Sequence, residues 1–282
     1  MGNPQIMGNV MVRFQMAAEE SMGMSRVEQT AAAIELNHLA ALRELAQGDT
    51  SELLVNAEML RVFSGVPYPL LNFVARPRFE PRWAHERIAS LVAYFAARRV
   101  PFLVYLYPSS RPQDLAQCLR QHGLEPRGVQ DAMALQRLEA ALPPAPGVEV
   151  EVAGDVDTLA RAAEIHAGAY HWPGDAAAYM RQVLMSALYD PAVCVYLGRL
   201  HGIPAGSLIL ILKAGVAGLY GLGTLAEYRG RGVATSLLVR AIADAAGLGF
   251  RTAVLQAPSG AVSLYRRLGF ETYFRIEVFA GS

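Results

Sequence analysis

The sequence predicts an α/β protein built in two halves. Three observations carry this. Helical and extended segments alternate on both sides of a proline cluster, Leu142-Pro143-Pro144-Ala145-Pro146-Gly147. Hydrophobic residues make up 53% of 282 positions, enough for a core on each side. The downstream half contains an apolar run from Val216 to Leu225, a glycine-bearing turn, and then Leu237, Leu238, Ala241, Ile242 and Ala245 at helical spacing.

Taken in order, the chain starts with two helical segments, Met11 to Met24 and Val27 to Ala46, with Gly48 ending the second. Val62 to Ala75 reads as extended structure interrupted by Pro67 and Pro69. A helix over Ala84 to Ala97, a strand over Phe102 to Tyr107, a helix over Gln113 to Gln121 stopped at Gly123-Leu124, and a strand over Ala132 to Leu138 complete the first half. The clustered prolines predict a stiff extended connector. The expected units are therefore residues 1–142, a linker at 143–147, and residues 148–282.

The second half opens with a strand at Val148 to Val152 and a helix at Asp155 to Ala167. Gly168-Ala169-Tyr170-His171-Trp172-Pro173-Gly174 breaks the periodicity, which resumes from Ala176 to Leu188. Strands follow at Ala192 to Arg199, Ala205 to Leu212 and Val216 to Thr224. After the helix that begins near Gly232 come a strand at Thr252 to Ala257, a short helix at Ala261 to Leu268 ended by Gly269, and a strand at Thr272 to Phe279.

Composition narrows the function classes. Zero formal net charge argues against nucleic acid or an anionic membrane as partner. Cys118 and Cys194 stand singly, without metal-ligand spacing, and read as free thiols, so neither a metal nor a disulfide is expected. No leader-like or bilayer-length apolar segment is visible, so the expected compartment is the cytoplasm. Lys213 is the only lysine among 25 basic residues, a bias that suggests a high-GC bacterial genome.

The chemistry concentrates at Arg229-Gly230-Arg231-Gly232-Val233-Ala234. A turn of this kind presents backbone N–H groups at a helix N-terminus, where the macrodipole also favours an anion. Gly230 and Gly232 let a phosphate approach the peptide plane, and Arg229 and Arg231 add positive charge. A pyrophosphate fits that description, although glycine pairs before helices are also common punctuation. Downstream lies Leu264-Tyr265-Arg266-Arg267-Leu268-Gly269-Phe270.

Together the two motifs resemble the GNAT superfamily of acyl-CoA-dependent N-acetyltransferases, over about Val148 to Phe279. The first matches the family's Arg/Gln-x-x-Gly-x-Gly/Ala pyrophosphate loop, the second its Leu-Tyr-x-x-x-Gly-Phe segment. The resemblance implies a mixed, mostly antiparallel sheet flanked by helices, with acetyl-CoA as co-substrate. It implies that Arg229, Gly230, Arg231, Gly232, Val233, Ala234 and Thr235 hold the pyrophosphate through their backbone. Leu222, Gly223 and Thr224 would end a strand that splays from its neighbour and offers backbone groups to pantetheine and the thioester carbonyl. Tyr265 matches the family's general acid toward the departing thiolate; its alternative is an aromatic packed on the core. Tyr170, His171 and Trp172, in the loop between the first two helices, are the candidate acceptor-site residues, though Trp172 beside Pro173 could equally staple that loop to the sheet.

Two departures matter. The family often places Asn where this chain has Pro258, and no carboxylate or imidazole stands out as a general base. The expected partner is a small-molecule or peptide amine, with a second copy of the chain as a further candidate. A non-catalytic acyl-CoA sensor or interaction module on the same scaffold is the rival reading. Sliding the halves together sets Gly123-Leu124 on Gly269-Phe270, Leu119 on Tyr265, and Trp83 to Ile88, with Glu86, on the pyrophosphate loop. The first half is therefore expected to be a degenerate GNAT-like repeat without its own cofactor, the alternative being an unrelated α/β domain.

Overall fold

The computed structural model describes residues 24–48, 50–138 and 143–281. The expected helix at Met11 to Met24 lies, but for its last residue, outside them. The first half contains α1 (Arg26–Glu44), β1 (Glu52–Val55), β2 (Leu60–Phe63), β3 (Phe73–Ala75), α2 (Ala84–Ala97), β4 (Phe102–Leu106), α3 (Leu115–Gln121) and β5 (Glu125–Gln136). The second contains β6 (Val148–Val152), α4 (Val156–Tyr170), α5 (Gly174–Met185), β7 (Val193–Leu200), β8 (Ile203–Lys213), β9 (Val216–Thr224), α6 (Val233–Gly247), β10 (Thr252–Pro258), α7 (Val262–Arg267) and β11 (Glu271–Gly281). The architecture is mixed α and β, with most strand pairs antiparallel.

One sheet of 11 strands runs in the order β1-β2-β3-β4-β11-β5-β10-β9-β8-β7-β6. Outward from its centre, β5-β10-β9-β8-β7 mirrors β11-β4-β3-β2-β1. Each half has sent its last strand across the middle. β5 lies between β10 and β11, antiparallel to both, and β11 continues antiparallel onto β4. The proline cluster therefore separates two halves of the sequence whose sheets are not separate in space.

This exchange explains why β5 begins earlier than its hydrophobic pattern suggests. Glu125 to Val129 are exposed, and Pro126 and Gly128 are poor strand residues. They are extended because β11 pairs with them, Val278 opposite Gly128 and Phe279 opposite Pro126, across a register shift. β1 carries too little apolar periodicity to be visible in the sequence; it is an edge strand whose side chains are mostly exposed.

The repeat is legible in hydrogen bonds. Leu124 N–H donates to Leu119 O at 3.0 Å and Gly123 N–H to Arg120 O at 3.0 Å. Phe270 N–H donates to Tyr265 O at 3.1 Å and Gly269 N–H to Arg266 O at 3.0 Å. Gly123 and Gly269 both take the left-handed conformation, φ +79° and +89°, that lets a helix end there. The inner parallel pairs correspond too, β3 with β4 and β9 with β10.

Helices cover both faces. α6 and α7 bury Leu237, Leu238, Ala241 and Tyr265 against one side of the second half. α4 and α5 cover β7 to β9 on the other, and α2 and α3 cover β3 and β4. α1 lies over the middle of the sheet with Ile34 and Leu42 buried. Its start is fixed by a capping box, Ser25 accepting from Glu28 N–H at 3.3 Å while Glu28 accepts from Ser25 N–H at 2.8 Å. Its Asn37, fully buried, donates to the carbonyls of Ile211, Lys213 and Val216 and so closes the β8–β9 hairpin from the first half. Lys213 adds ion pairs to Glu44 and to Asp190.

Candidate active site

A parallel pair that stays together buries its whole edge; this one opens. β9 and β10 pair only at Ala217 with Ala253 and Gly218 with Val254. Beyond that point β9 follows β8 to Thr224, while β10 follows β5 to Pro258. The two strand ends form a fork with unpaired inner edges. A bulge in β9 sharpens it. The register against β8 slips between Ser207 and Ile209, and Gly221 adopts φ +56°. A Cβ on Gly221 would stand 2.8 Å from His166 Cε1, so glycine is required twice over.

At the end of β9 the chain turns into α6. Gly230 and Gly232 have φ of +75° and +82°. Gly232 is the N-cap residue, and no side chain caps this helix. Ser236 N–H is the first to reach a helical carbonyl, that of Gly232 at 2.9 Å. Among the described residues, nothing accepts from the N–H groups of Val233, Ala234 or Thr235. An uncapped first turn with its dipole end exposed is a ready anion site.

Two details differ from the sequence expectation. The Arg229 guanidinium does not extend outward; it donates to the carbonyls of Thr224 at 3.1 Å and Ala169 at 3.4 Å, tying the turn to β9 and α4. Its charge stays nearby, while Arg231 is exposed and has no ion-pair partner among the described residues. Gly232 is needed by the fold itself, since an added Cβ would sit 2.4 Å from that of Ala145. The proline-rich connector is not simply extended there. It turns at Ala145, whose N–H donates to Ser236 Oγ at 2.9 Å and whose carbonyl accepts from Val148 N–H at 3.0 Å. Gly230 has open space around its Cβ position.

Leu222, Gly223 and Thr224 do end β9, but the chain itself uses part of what they offer. Tyr170 Oη donates to Leu222 O at 2.8 Å, and Thr224 O is taken by Arg229. Gly223 packs so closely on α4 that a Cβ would be 2.8 Å from that of Ala169. Tyr265, on α7, is buried in the core that α6 shares and meets Phe270 edge-on at 6.0 Å. Burial pushes its hydroxyl pKa up to about 12, and that hydroxyl has no partner among the described residues. The Tyr170 phenol is raised by burial and by the neighbouring Tyr265.

Of the three candidate acceptor residues, two converge. Tyr170 and Trp172 pack on His166 at ring separations of 4.8 and 5.6 Å, and Trp172 also meets Tyr68 at 5.1 Å. His171 does not join them. The helix runs on to Tyr170, past the predicted Ala167, and His171 is its exposed left-handed C-cap, φ +53°. Sequence reasoning missed the buried groups around them. His166 is held neutral by burial, its pKa lowered to about 4 against an opposing bond to the Gly221 backbone. His38 from α1, lowered by burial to about 3, pairs through Nδ1 with Tyr107 Oη at 2.8 Å and stacks on Tyr220. The Tyr220 hydroxyl donates to Asn37 Oδ1 at 2.6 Å. Gln256 on β10 stands near that hydroxyl without meeting hydrogen-bond geometry, its buried amide unpartnered. None of these follows a local motif; only the packing of α1 on the fork brings them together.

A glycine-led helix start thus stands beside a forked parallel pair, and known proteins show what the arrangement is similar to. Residues 159–270 match the model of the Acetyltransferase (GNAT) family. The match covers less than half of the chain and marks that stretch as similar to GNAT acetyltransferases. No curated protein matches the chain. Among solved structures, it is similar to a GCN5-related N-acetyltransferase from Kribbella flavida, with 21% identity and TM-score 0.67 over 92% of this chain and 96% of that one. A GCN5-related N-acetyltransferase from Sphaerobacter thermophilus gives 18% identity and TM-score 0.59 over 82% and 75%. A tandem GNAT protein from the clavulanic acid biosynthesis pathway gives 13% and 0.58 over 90% and 94%. At these identities the likeness is one of fold, and it spans both halves. Among the described residues, no helix is long and apolar enough to cross a membrane, and no cluster of His, Cys, Asp or Glu is arranged to hold a metal ion.

Proposed function

We propose that the second half transfers an acetyl group from acetyl-CoA to a primary amine by direct attack in a ternary complex. The observation that carries this is the uncapped, glycine-led start of α6 standing at the mouth of the β9–β10 fork. The pyrophosphate would lie against the backbone of Gly230 to Thr235, with Arg231 nearby. The pantetheine arm would follow the open edge of β9. The amine nitrogen attacks the thioester carbonyl carbon and charge grows on the carbonyl oxygen, where a backbone N–H of the open edge can stabilise it. The C–S bond then breaks, the Tyr265 hydroxyl gives its proton to sulfur, and the attacking nitrogen loses one to water. A hydroxyl with a pKa of about 12 keeps its proton through the neutral range, as an acid for this step must.

The first half takes no cofactor in this reading. Its α2 begins after Trp83 with Glu86 in the first turn, which would repel phosphate, and Leu119 stands where the second half has Tyr265. The free thiols Cys118 and Cys194 and the arginine-rich composition suit a bacterial cytoplasm. Thiol release from acetyl-CoA, measured with a panel of primary amines, tests the function. Turnover with any of them supports the transferase. Tight acetyl-CoA binding without turnover for the whole panel would instead identify a sensor.

A further inference from the structure

A cavity of about 240 Å³ lies where the two halves meet, bounded by α1, α4, α5 and the faces of β8 and β9. It reaches the fork at Tyr220 and Gly221, and Tyr170 and His166 form the wall beside that opening. The rest of the lining is mostly apolar, with Leu42 and Leu45 from the first half and Met180, Val183, Ile209 and Ile211 from the second, beside the rings of His38, Tyr105 and Trp172. Its volume falls below the roughly 300–1,000 Å³ of pockets that hold drug-sized ligands, so the occupant is small. Glu44 is the one carboxylate on its wall, and Lys213 already pairs with it. Such a lining offers a polycation no set of anchoring charges, and it disfavours any charged guest by desolvation.

We infer that this cavity is the acceptor subsite, and that it takes a small primary amine with a compact hydrocarbon body, bound as the free base. The inference rests on the transferase reading for its chemistry, yet the cavity's selectivity is measurable without turnover. An amine stripped of water in this lining gives up its proton on entry, so its nitrogen arrives nucleophilic at Gly221. That supplies what the site otherwise lacks, since the two imidazoles on the wall, His38 and His166, are too weakly basic to hold a proton at neutral pH. The other titratable groups on the wall are three phenols and one carboxylate. Burial raises the phenols of Tyr105, Tyr170 and Tyr220, and Glu44 is ion-paired.

The test is calorimetric titration of the whole protein with phenethylamine, isoamylamine and spermidine between pH 7 and 9. The two hydrocarbon amines are expected to bind at least about tenfold more tightly than spermidine, the scale on which hydrophobic pockets discriminate. Their affinity should rise about tenfold per pH unit while the amine is mostly protonated. Val183→Phe, which fills the cavity, should weaken phenethylamine about tenfold or more and leave acetyl-CoA binding unchanged, which also reports that the variant folds. Spermidine binding as well or better, affinity that does not rise with pH, or no amine binding at all would overturn the inference. Selective amine binding without thiol release would leave the cavity as a site for small apolar amines and overturn the transferase reading instead.

Discussion

Replacing Tyr265 by phenylalanine should lower kcat by about 10²-fold or more, within the range that general acids contribute. Acetyl-CoA affinity should stay within about twofold, as expected when a group acts only in the transition state. The ring is buried against Phe270 and the α6 core, and its hydroxyl has no partner within the described protein. The variant therefore keeps the packing of the ring and loses only the hydroxyl group that would give the proton. Because the hydroxyl pKa is raised to about 12, the wild-type rate should also show no alkaline fall attributable to this group below about pH 11. Steady-state kinetics with thermal unfolding as the folding control reads both. A phenylalanine variant with unchanged kcat would return Tyr265 to a purely packing role.

The second large effect comes from the strand exchange. Residues 148–282 produced alone should fail to fold as a monomer, although the GNAT match lies wholly within them. Without the first half, β11 loses both neighbours and β10 loses β5 along its whole length. Val254, Leu255, Ile276, Val278 and Phe279, all buried in the full chain, would lose cover. Each such side chain is worth about 1.5–3 kcal/mol when fully uncovered, so the set rivals the ~5–15 kcal/mol by which a typical domain is stable. Circular dichroism and size-exclusion chromatography decide this. The expected result is a non-cooperative melt or aggregation through the bared strand edges. A monomer that melts cooperatively and binds acetyl-CoA like the full chain would contradict it.

How much was legible beforehand follows from how local each signal is. The ends of α2 were read to the residue, because four apolar positions on one face, Ala84, Ile88, Leu91 and Phe95, are its buried stripe. β6 and β9 were equally clear, and the repeat register placed Leu119 opposite Tyr265, where the backbone hydrogen bonds now coincide. The crossing of β5 and β11 was not legible, since it depends on partners in the other half. Gly221 was passed over for the same reason. Its positive φ arises from a bulge against β8 and from His166 behind it, neither of which has a sequence signature. Arg229 is expected to add positive charge to the turn, but two carbonyls hold its guanidinium, a result of α4 ending beside β9.

The central claim is that the start of α6 cradles a pyrophosphate through main-chain N–H groups. Gly232 cannot test it cleanly, since any side chain there strikes Ala145. Ala234→Glu can, because it sets the two roles of a helix start against each other. A carboxylate in the first turn favours the helix by about 0.3–1 kcal/mol through the dipole and the free N–H groups. The same charge would repel a diphosphate held there. Calorimetric titration of Ala234→Glu with acetyl-CoA, alongside its melting temperature, should show affinity reduced at least about tenfold with Tm unchanged or raised. Wild-type affinity in a well-folded Ala234→Glu protein would contradict the cradle and the function built on it.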